Sequence, residues 1–288
     1  MDGILIVNKE AGYTSRDIVN NVSKILNTKK IGHTGTLDPI ATGVLVLCIG
    51  KATKLVEILT STEKEYIAEA TLGVMTDTLD NTGNILETKN TSITKEEIIK
   101  TLNNMQGCYE QEVPIYSAVK INGKKLYEYA RENKNIELPK RMVEIKELEL
   151  IDDIKYEDNK TIFNLKCLVS KGTYIRSLIR DIASNLNTVG IMSKLMRVKQ
   201  GKFSINESYT LEDIEKGNYK LISISDCLSC YKKVIADDFL INKIRNGALL
   251  NQIYDEDIIV FKDCDDNVLA IYKTYDKDNS KIKPWKIF

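Results

Sequence analysis

Two stretches far apart in the chain, EYIAEATL (65–72) and FNLKCLV (163–169), carry apolar residues at every second position: Tyr66, Ala68, Ala70 and Leu72, then Phe163, Leu165, Cys167 and Val169. Successive side chains on a strand point to opposite faces, so this period marks half-buried strands with one face on a core. Helical spacing surrounds them. After an apolar opening strand, GILIV, Thr14 or Ser15 caps a helix carrying Ile18, Val19, Val22, Ile25 and Leu26. Thr94 and Glu97 form a capping box ahead of Ile98, Ile99, Leu102 and Met105, and Gly107 ends that helix. Val44–Ile49 is a short β-rich run, and Ile175, Leu178, Ile179, Ile182 and Leu186 mark a further helix after the Ser170-Lys171-Gly172 turn. Strands and helices mix irregularly, not as strict βαβ units. The expected fold is α+β, on a mixed, largely antiparallel sheet with flanking helices.

A chain of 288 residues has room for two domains. Residues 110–142, rich in lysine and tyrosine with Pro114 and Pro139 near their ends, read as a long inserted loop of the kind that is usually functional or mobile. A break falls in 203–232, where the charge turns acidic. Residues 231–288 hold short strand-like runs and the Asn246-Gly247 turn. The expected division is a catalytic domain over 1–230 and a small β-rich domain over 231–288.

Composition excludes several classes. The longest apolar run, Val44–Ile49, is far short of the roughly 20 residues of a membrane helix. The opening MDGILIVNKE lacks the form of a signal peptide, so a cytoplasmic protein is expected. Cytosolic thiols stay reduced, and Cys227 and Cys230, although spaced like metal ligands, have only Cys264 and distant residues to complete a site. Net charge is zero, yet Lys166–Lys202 holds eight basic residues against Asp181 alone, and Lys120–Arg141 holds seven against three acids. If these segments share a face, a neutral chain offers a phosphate-binding surface. Ordinary solvated charge explains the same counts.

The single histidine, His33, stands in GHTGTLDP (32–39). No second histidine exists for a His-ligated zinc site, and neither GxxxxGK[ST] nor GxGxxG occurs, so no cofactor motif is present. What remains is an Asp-centred loop. Pro39 restricts Asp38 to extended geometry, and the flanking glycines let backbone bend closely around a ligand. A turn aspartate bonded to its own backbone would look the same.

The stretch GHTGTLDPIATGVLVLCIGKATKL (32–55) resembles the signature of the TruB family of tRNA pseudouridine synthases. The resemblance continues in order through KEYIAEATLG (64–73), VPIYSAVKINGKKLYEYAR (113–131), VSKGTYIRSLIRDIA (169–183) and LMRVKQGKF (195–203), covering about residues 3–230. It implies a pseudouridine-synthase-like catalytic domain and isomerisation of the T-loop uridine of tRNA, position 55 in tRNA numbering, without a cofactor. It also implies a tRNA T stem-loop as partner, and the chain is expected to act as a monomer. The C-terminal piece resembles the family's PUA-type RNA-binding domain by position and by the NGALL turn.

Roles follow from that resemblance for matching positions. Asp38 would be the catalytic aspartate, Tyr66 would stack on the target base and assist proton movement, and Arg176 would pair with Asp38. His33 would fill the gap left in the RNA by the extruded base. Tyr174 belongs to the same block as Arg176, and Lys9, Lys120, Lys124, Lys125 and Arg197 are placed as RNA-binding residues. One departure is visible: Asn8-Lys9-Glu10 stands where the family has Asp-Lys-Pro, which bears on that loop's rigidity and not on the aspartate. Each position has an ordinary alternative: a strand tyrosine at Tyr66, a solvated first-turn arginine at Arg176, a packing residue at Tyr174, a backbone-bonded loop histidine at His33. The competing functions are an RNA-binding module without turnover and a hydrolase using Asp38, the latter wanting a second carboxylate.

Overall fold

The computed structural model describes residues 1–132 and 134–288. Its main sheet has ten strands, seven of which run in the spatial order Gly3–Lys9, Thr42–Ile49, Gly190–Gln200, Lys64–Leu72, Lys160–Val169, Lys140–Leu150 and Gly107–Glu112. Every neighbouring pair on that path is antiparallel except Gly190–Gln200 with Thr42–Ile49, which run parallel. The expected mixed, largely antiparallel sheet is present.

The alternation in 65–72 and 163–169 has its cause in the packing. Tyr66, Ala68, Ala70 and Leu72 share a core with Phe163, Leu165, Cys167 and Val169, and with the inner faces of helices Ser15–Ile25, Lys95–Asn104 and Ile175–Asn185. Ile175, Leu178, Ile179 and Ile182 are all buried there, each worth about 1.5–3 kcal/mol against exposure. Within the opening strand and Thr42–Ile49, the runs Ile4–Val7 and Val44–Ile49 are apolar throughout because they are covered on both faces. Leu5, Val7, Leu45 and Leu47 join this first core, while Ile4, Ile6, Val44, Val46 and Cys48 join a second one behind the sheet.

That second core also holds Cys227, Leu228, Val260 and Ile271. The last two belong to a five-stranded sheet in the order Lys232–Ile235, Ile258–Lys262, Val268–Thr274, Lys281–Ile287 and Leu250–Asn251. The C-terminal β-rich unit therefore shares a core with the back of the main sheet. Its other face is covered by helix Asp238–Arg245, which the short apolar runs did not announce. Cys227 serves this core as an apolar filler, burial pushing its thiol up to about 11, while Cys230 is exposed.

Two boundaries are refined. The stretch 203–232, where a break was expected, stays with the main sheet as far as Ile222: Ile222 and Ile4 exchange both backbone hydrogen bonds at 2.9 Å, and Tyr209 bonds Ile6 and Asn8. It runs along the first strand and closes an edge that would otherwise be open. The insertion is also shorter than 110–142. Both of its ends are sheet, with Lys140 to Ile145 pairing Glu112 to Gly107, and Gly107 opens an edge strand instead of capping the helix that stops at Asn104. Gly107–Glu112 is the edge of the sheet and, like residues 140–142 beside it, is mostly exposed, so its polar residues hid the pattern. What projects is 113–139, of which position 133 lies outside the described residues. It carries a hairpin, Lys120–Ile121 with Lys124–Lys125, and the helix Leu126–Arg131. Asn122 and Gly123 turn the hairpin at φ of 51° and 83°, as a tight two-residue turn requires. Among the described residues no helix is long and apolar enough to cross a membrane.

Candidate active site

Asp38 lies in a loop, 34–41, that is clamped at nearly every residue. On its N-terminal side, Gln200 Nε2 donates to Thr34 O at 3.1 Å and to Thr34 Oγ1 at 2.6 Å, and Arg197 Nη2 donates to Gly35 O at 3.1 Å. The Leu37 N–H donates to Ser15 Oγ at 2.9 Å, tying the loop to the start of a helix capped by Thr14. On the far side Lys9 Nζ donates to the carbonyls of Glu10, Pro39 and Ala41 at 2.9, 3.2 and 2.6 Å.

Arg176 reaches this loop from the first turn of helix Ile175–Asn185. Its Nε donates to Asp38 Oδ2 at 2.9 Å and its Nη2 to Asp38 Oδ1 at 3.1 Å, a bidentate pair. The same guanidinium donates to Thr78 O at 2.9 Å and Tyr116 O at 3.0 Å. Its side chain is 5% exposed, while that of Asp38 is 32% exposed, so the carboxylate presents an open side. The helix start is itself fixed: Tyr174 N–H donates to Gln111 Oε1 at 2.8 Å and Gln111 Nε2 donates to Tyr174 O at 3.2 Å.

A cleft of ≈ 830 Å³ opens over Asp38 and is lined by Tyr66, Tyr116, Tyr127, Tyr174 and Arg176 among others. Tyr66 is buried on its floor, and burial raises its phenol above the ordinary value. Its strand neighbour in register is Arg197, beside a β-bulge between Arg197 and Lys199. Across the parallel ladder Arg197 faces Gly43, whose φ is 98° and where a Cβ would stand 2.3 Å from Arg197 O. Only glycine lets the two strands approach so closely at this floor.

Several of the expected RNA-binding residues have partners within the protein. Lys9 is fully buried and closes the Asp38 loop, because three carbonyls compensate its charge. Arg197 is 1% exposed, with Nε on Val44 O and Nη2 on Gly35 O, so it lines the cleft from beneath. Lys120 is exposed; Lys124 pairs with Glu132 and lies over the Tyr129 ring, and Lys125 donates to Tyr127 Oη at 3.3 Å. The basic count over 166–202 also overstated free charge. Lys166 pairs with Glu65, Lys194 with Glu69, and Arg180 with Glu112 and Asp181.

His33 is half-buried in a short strand, Ile31–His33, outside the residues that line the cleft. Its Nδ1 is buried without a hydrogen-bond partner. Burial, then Arg16 and Arg197, lower its pKa below 6.5. Below pH 6.5 the unfolded chain therefore binds a proton that the folded chain resists, and stability falls with pH. Thermal unfolding at pH 5 to 7 is expected to show this loss in the wild type and a smaller one in His33→Asn; equal slopes would place the titration elsewhere.

Sequence reasoning missed Asp80, Lys64, Gln111 and Gln200. Asp80 lies 3.9 Å from Arg176 Nη1 with 8% of its side chain exposed, and it accepts from Thr78 and Thr82. It backs the arginine and does not line the cleft, so it is no second carboxylate over a substrate. Lys64 alone had a usable signal, standing two residues before Tyr66 on the same strand face.

Solved structures share this fold. The matched chain of an H/ACA RNP bound to a substrate RNA containing 2'-deoxyuridine superposes with a TM-score of 0.71 over 99% of this chain and 84% of its own, at 23% identity. A chain of a Cbf5-Nop10-Gar1 complex gives 0.69 over 94% and 78%, at 25% identity. Residues 23–175 match the model of the TruB family pseudouridylate synthase, N-terminal domain. Proteins called tRNA pseudouridine synthase B from Bacillus subtilis (strain 168) and Staphylococcus aureus (strain N315) are 41% and 43% identical, over all of this chain and 97% and 99% of theirs. The chain belongs to the TruB family of pseudouridylate synthases.

Proposed function

We propose that the protein isomerises the T-loop uridine of tRNA, position 55 in tRNA numbering, to pseudouridine, with Asp38 as the reacting carboxylate. The observation that carries this reading is the cleft itself. Its lining holds five cationic residues, Lys64, Arg141, Lys171, Arg176 and Arg197, and one carboxylate, Asp38. A neutral chain thus concentrates positive charge where an RNA backbone would enter.

The reaction breaks an N-glycosidic bond, turns the base and rejoins it through carbon. Nothing is oxidised and no group is donated, so amino-acid side chains suffice. A carboxylate must reach the nucleotide, whether it attacks covalently or removes a sugar proton. The Arg176 fork aims Asp38 and supplies the opposite charge. Extruding a base costs a few kcal/mol, of which an aromatic platform such as Tyr66 returns about 1–3 kcal/mol by stacking. The other cleft tyrosine on the Arg176 block, Tyr174, belongs to the same wall. His33, Lys120, Lys124 and Lys125 complete the RNA-facing surface, and the 113–139 excursion, whose Tyr116 carbonyl already holds Arg176, closes on the T stem-loop. The C-terminal sheet of 231–288 acts as a PUA-like RNA-binding unit beside the catalytic domain of 1–230, and the protein works as a cytoplasmic monomer.

Purified protein incubated with an unmodified tRNA transcript and nothing else is expected to convert one uridine to pseudouridine without change of mass. Chemical mapping would locate it in the T-loop. Binding without conversion would favour the RNA-binding module, and strand or ester cleavage the hydrolase.

A further inference from the structure

The cations of the cleft are unequally matched. Arg176 is held by Asp38, but among the described residues Lys64, Lys171 and Arg197 have no carboxylate within 4.0 Å. Lys64 is the anomaly. It is 7% exposed, and its Nζ donates to Thr60 O at 2.7 Å and Thr62 O at 2.5 Å, leaving one N–H free. Burial, with Arg197 and Lys171 adding to it, brings its pKa down to about 8. An ammonium held in low dielectric beside two further cations is costly unless an anion joins them.

The geometry leaves a place for that anion. A Cβ built on Gly35 would stand 3.4 Å from Arg197 Nη1 and 3.9 Å from both Lys64 Cε and Gln200 Oε1. Gly35 has no side chain to stand over these groups, and Gly35, Lys64, Lys171 and Arg197 all line the one cleft of ≈ 830 Å³. Uracil and ribose are uncharged, and Asp38 is already engaged by Arg176. The anion an RNA can bring here is its backbone.

We propose that Lys64, Lys171 and Arg197 seat one of the two phosphodiesters that flank the target uridine, a site that rests on the reading of the cleft as the place for an extruded nucleotide. Charge-assisted hydrogen bonds from Lys64 and Lys171, above the buried Arg197, fix the phosphate. The ribose is thereby set against Asp38, and the same contact offsets part of the cost of extrusion. The competing reading makes Lys64 only a clip for the Thr60 and Thr62 carbonyls.

The test couples a charge on the protein to a charge on the RNA. T-arm hairpins are made with a neutral methylphosphonate on the 5' side or the 3' side of the target uridine, and their affinities compared with the all-phosphate hairpin. For wild type, one of the two is expected to bind about tenfold more weakly, the scale of one hydrogen bond to a charged group. Lys64→Gln and Lys171→Gln should each weaken the all-phosphate hairpin similarly, and lose little more when that same linkage is neutral. If the protein and RNA changes multiply for both linkages, the seat does not exist and Lys64 is structural. Lys171 is exposed on the 170–172 turn, so Lys171→Gln decides the matter even if Lys64→Gln fails to fold. Conversion of the all-phosphate hairpin by wild type reports separately on the reading of the cleft: conversion without coupling removes only the phosphate seat, and no conversion removes the reading beneath it.

Discussion

Asp38→Asn is expected to lower single-turnover pseudouridine formation by at least about 10⁴-fold, or roughly 5.5 kcal/mol of barrier, while tRNA affinity stays within about tenfold. The two effects separate because they rest on different atoms. The amide keeps the size of the carboxylate, and its carbonyl still accepts from Arg176, so the loop clamped by Lys9, Ser15 and Gln200 has no reason to move. What disappears is the negative oxygen that either attacks the nucleotide or takes a proton from it. Affinity depends on the cations of the cleft, and removing its one negative charge does not oppose a polyanion. Single-turnover rates on a tRNA transcript and filter binding of the same RNA check both halves. Turnover within tenfold of wild type would mean that another group does the chemistry.

How much of this could be seen in the sequence depended on what buries each residue. The strand 65–72 showed itself because one face meets the core and the other meets polar neighbours, which writes a period of two into the residue order. Ile4–Val7 and Val44–Ile49 announced strands but not their place, since covering by two cores erases the alternation. The edge strand Gly107–Glu112 from position 110 and the first residues of its neighbour Lys140–Leu150 were read as loop, their Glu, Gln, Lys and Arg side chains resembling solvated surface.

The site residues divide in the same way. Asp38, Tyr66 and Arg176 were legible through their blocks of sequence, and the structure brings all three to one cleft. Lys9 and Arg197 were expected at the surface, where charged side chains normally lie. Both are buried because backbone carbonyls of a distant loop receive their N–H groups, an arrangement with no local signature. Asp80 is joined to Arg176 across almost a hundred residues, so no spacing rule would have found it.

Asp80 makes Arg176 the second decisive position. Arg176→Met is expected to destabilise the fold by about 3–5 kcal/mol, because two carboxylates, one of them 8% exposed, lose their guanidinium partner and the Thr78 and Tyr116 carbonyls lose a donor. In a chain of this size that corresponds to a fall in Tm on the order of 10 °C. Arg176→Lys should recover most of the stability, since a compact ammonium still neutralises the pocket. It should not recover the rate. One nitrogen cannot make the parallel pair to Oδ1 and Oδ2 while also holding the carbonyls that join the Thr78 loop and the 113–139 excursion to Asp38. A kcat loss of at least about 100-fold with stability largely restored is therefore the expected signature, matching the penalty for misplacing a reacting group by about 1 Å. Near-wild-type kcat in Arg176→Lys would show that charge alone, without the fork, positions the carboxylate. An unchanged Tm in Arg176→Met would show that the buried pair holds nothing together.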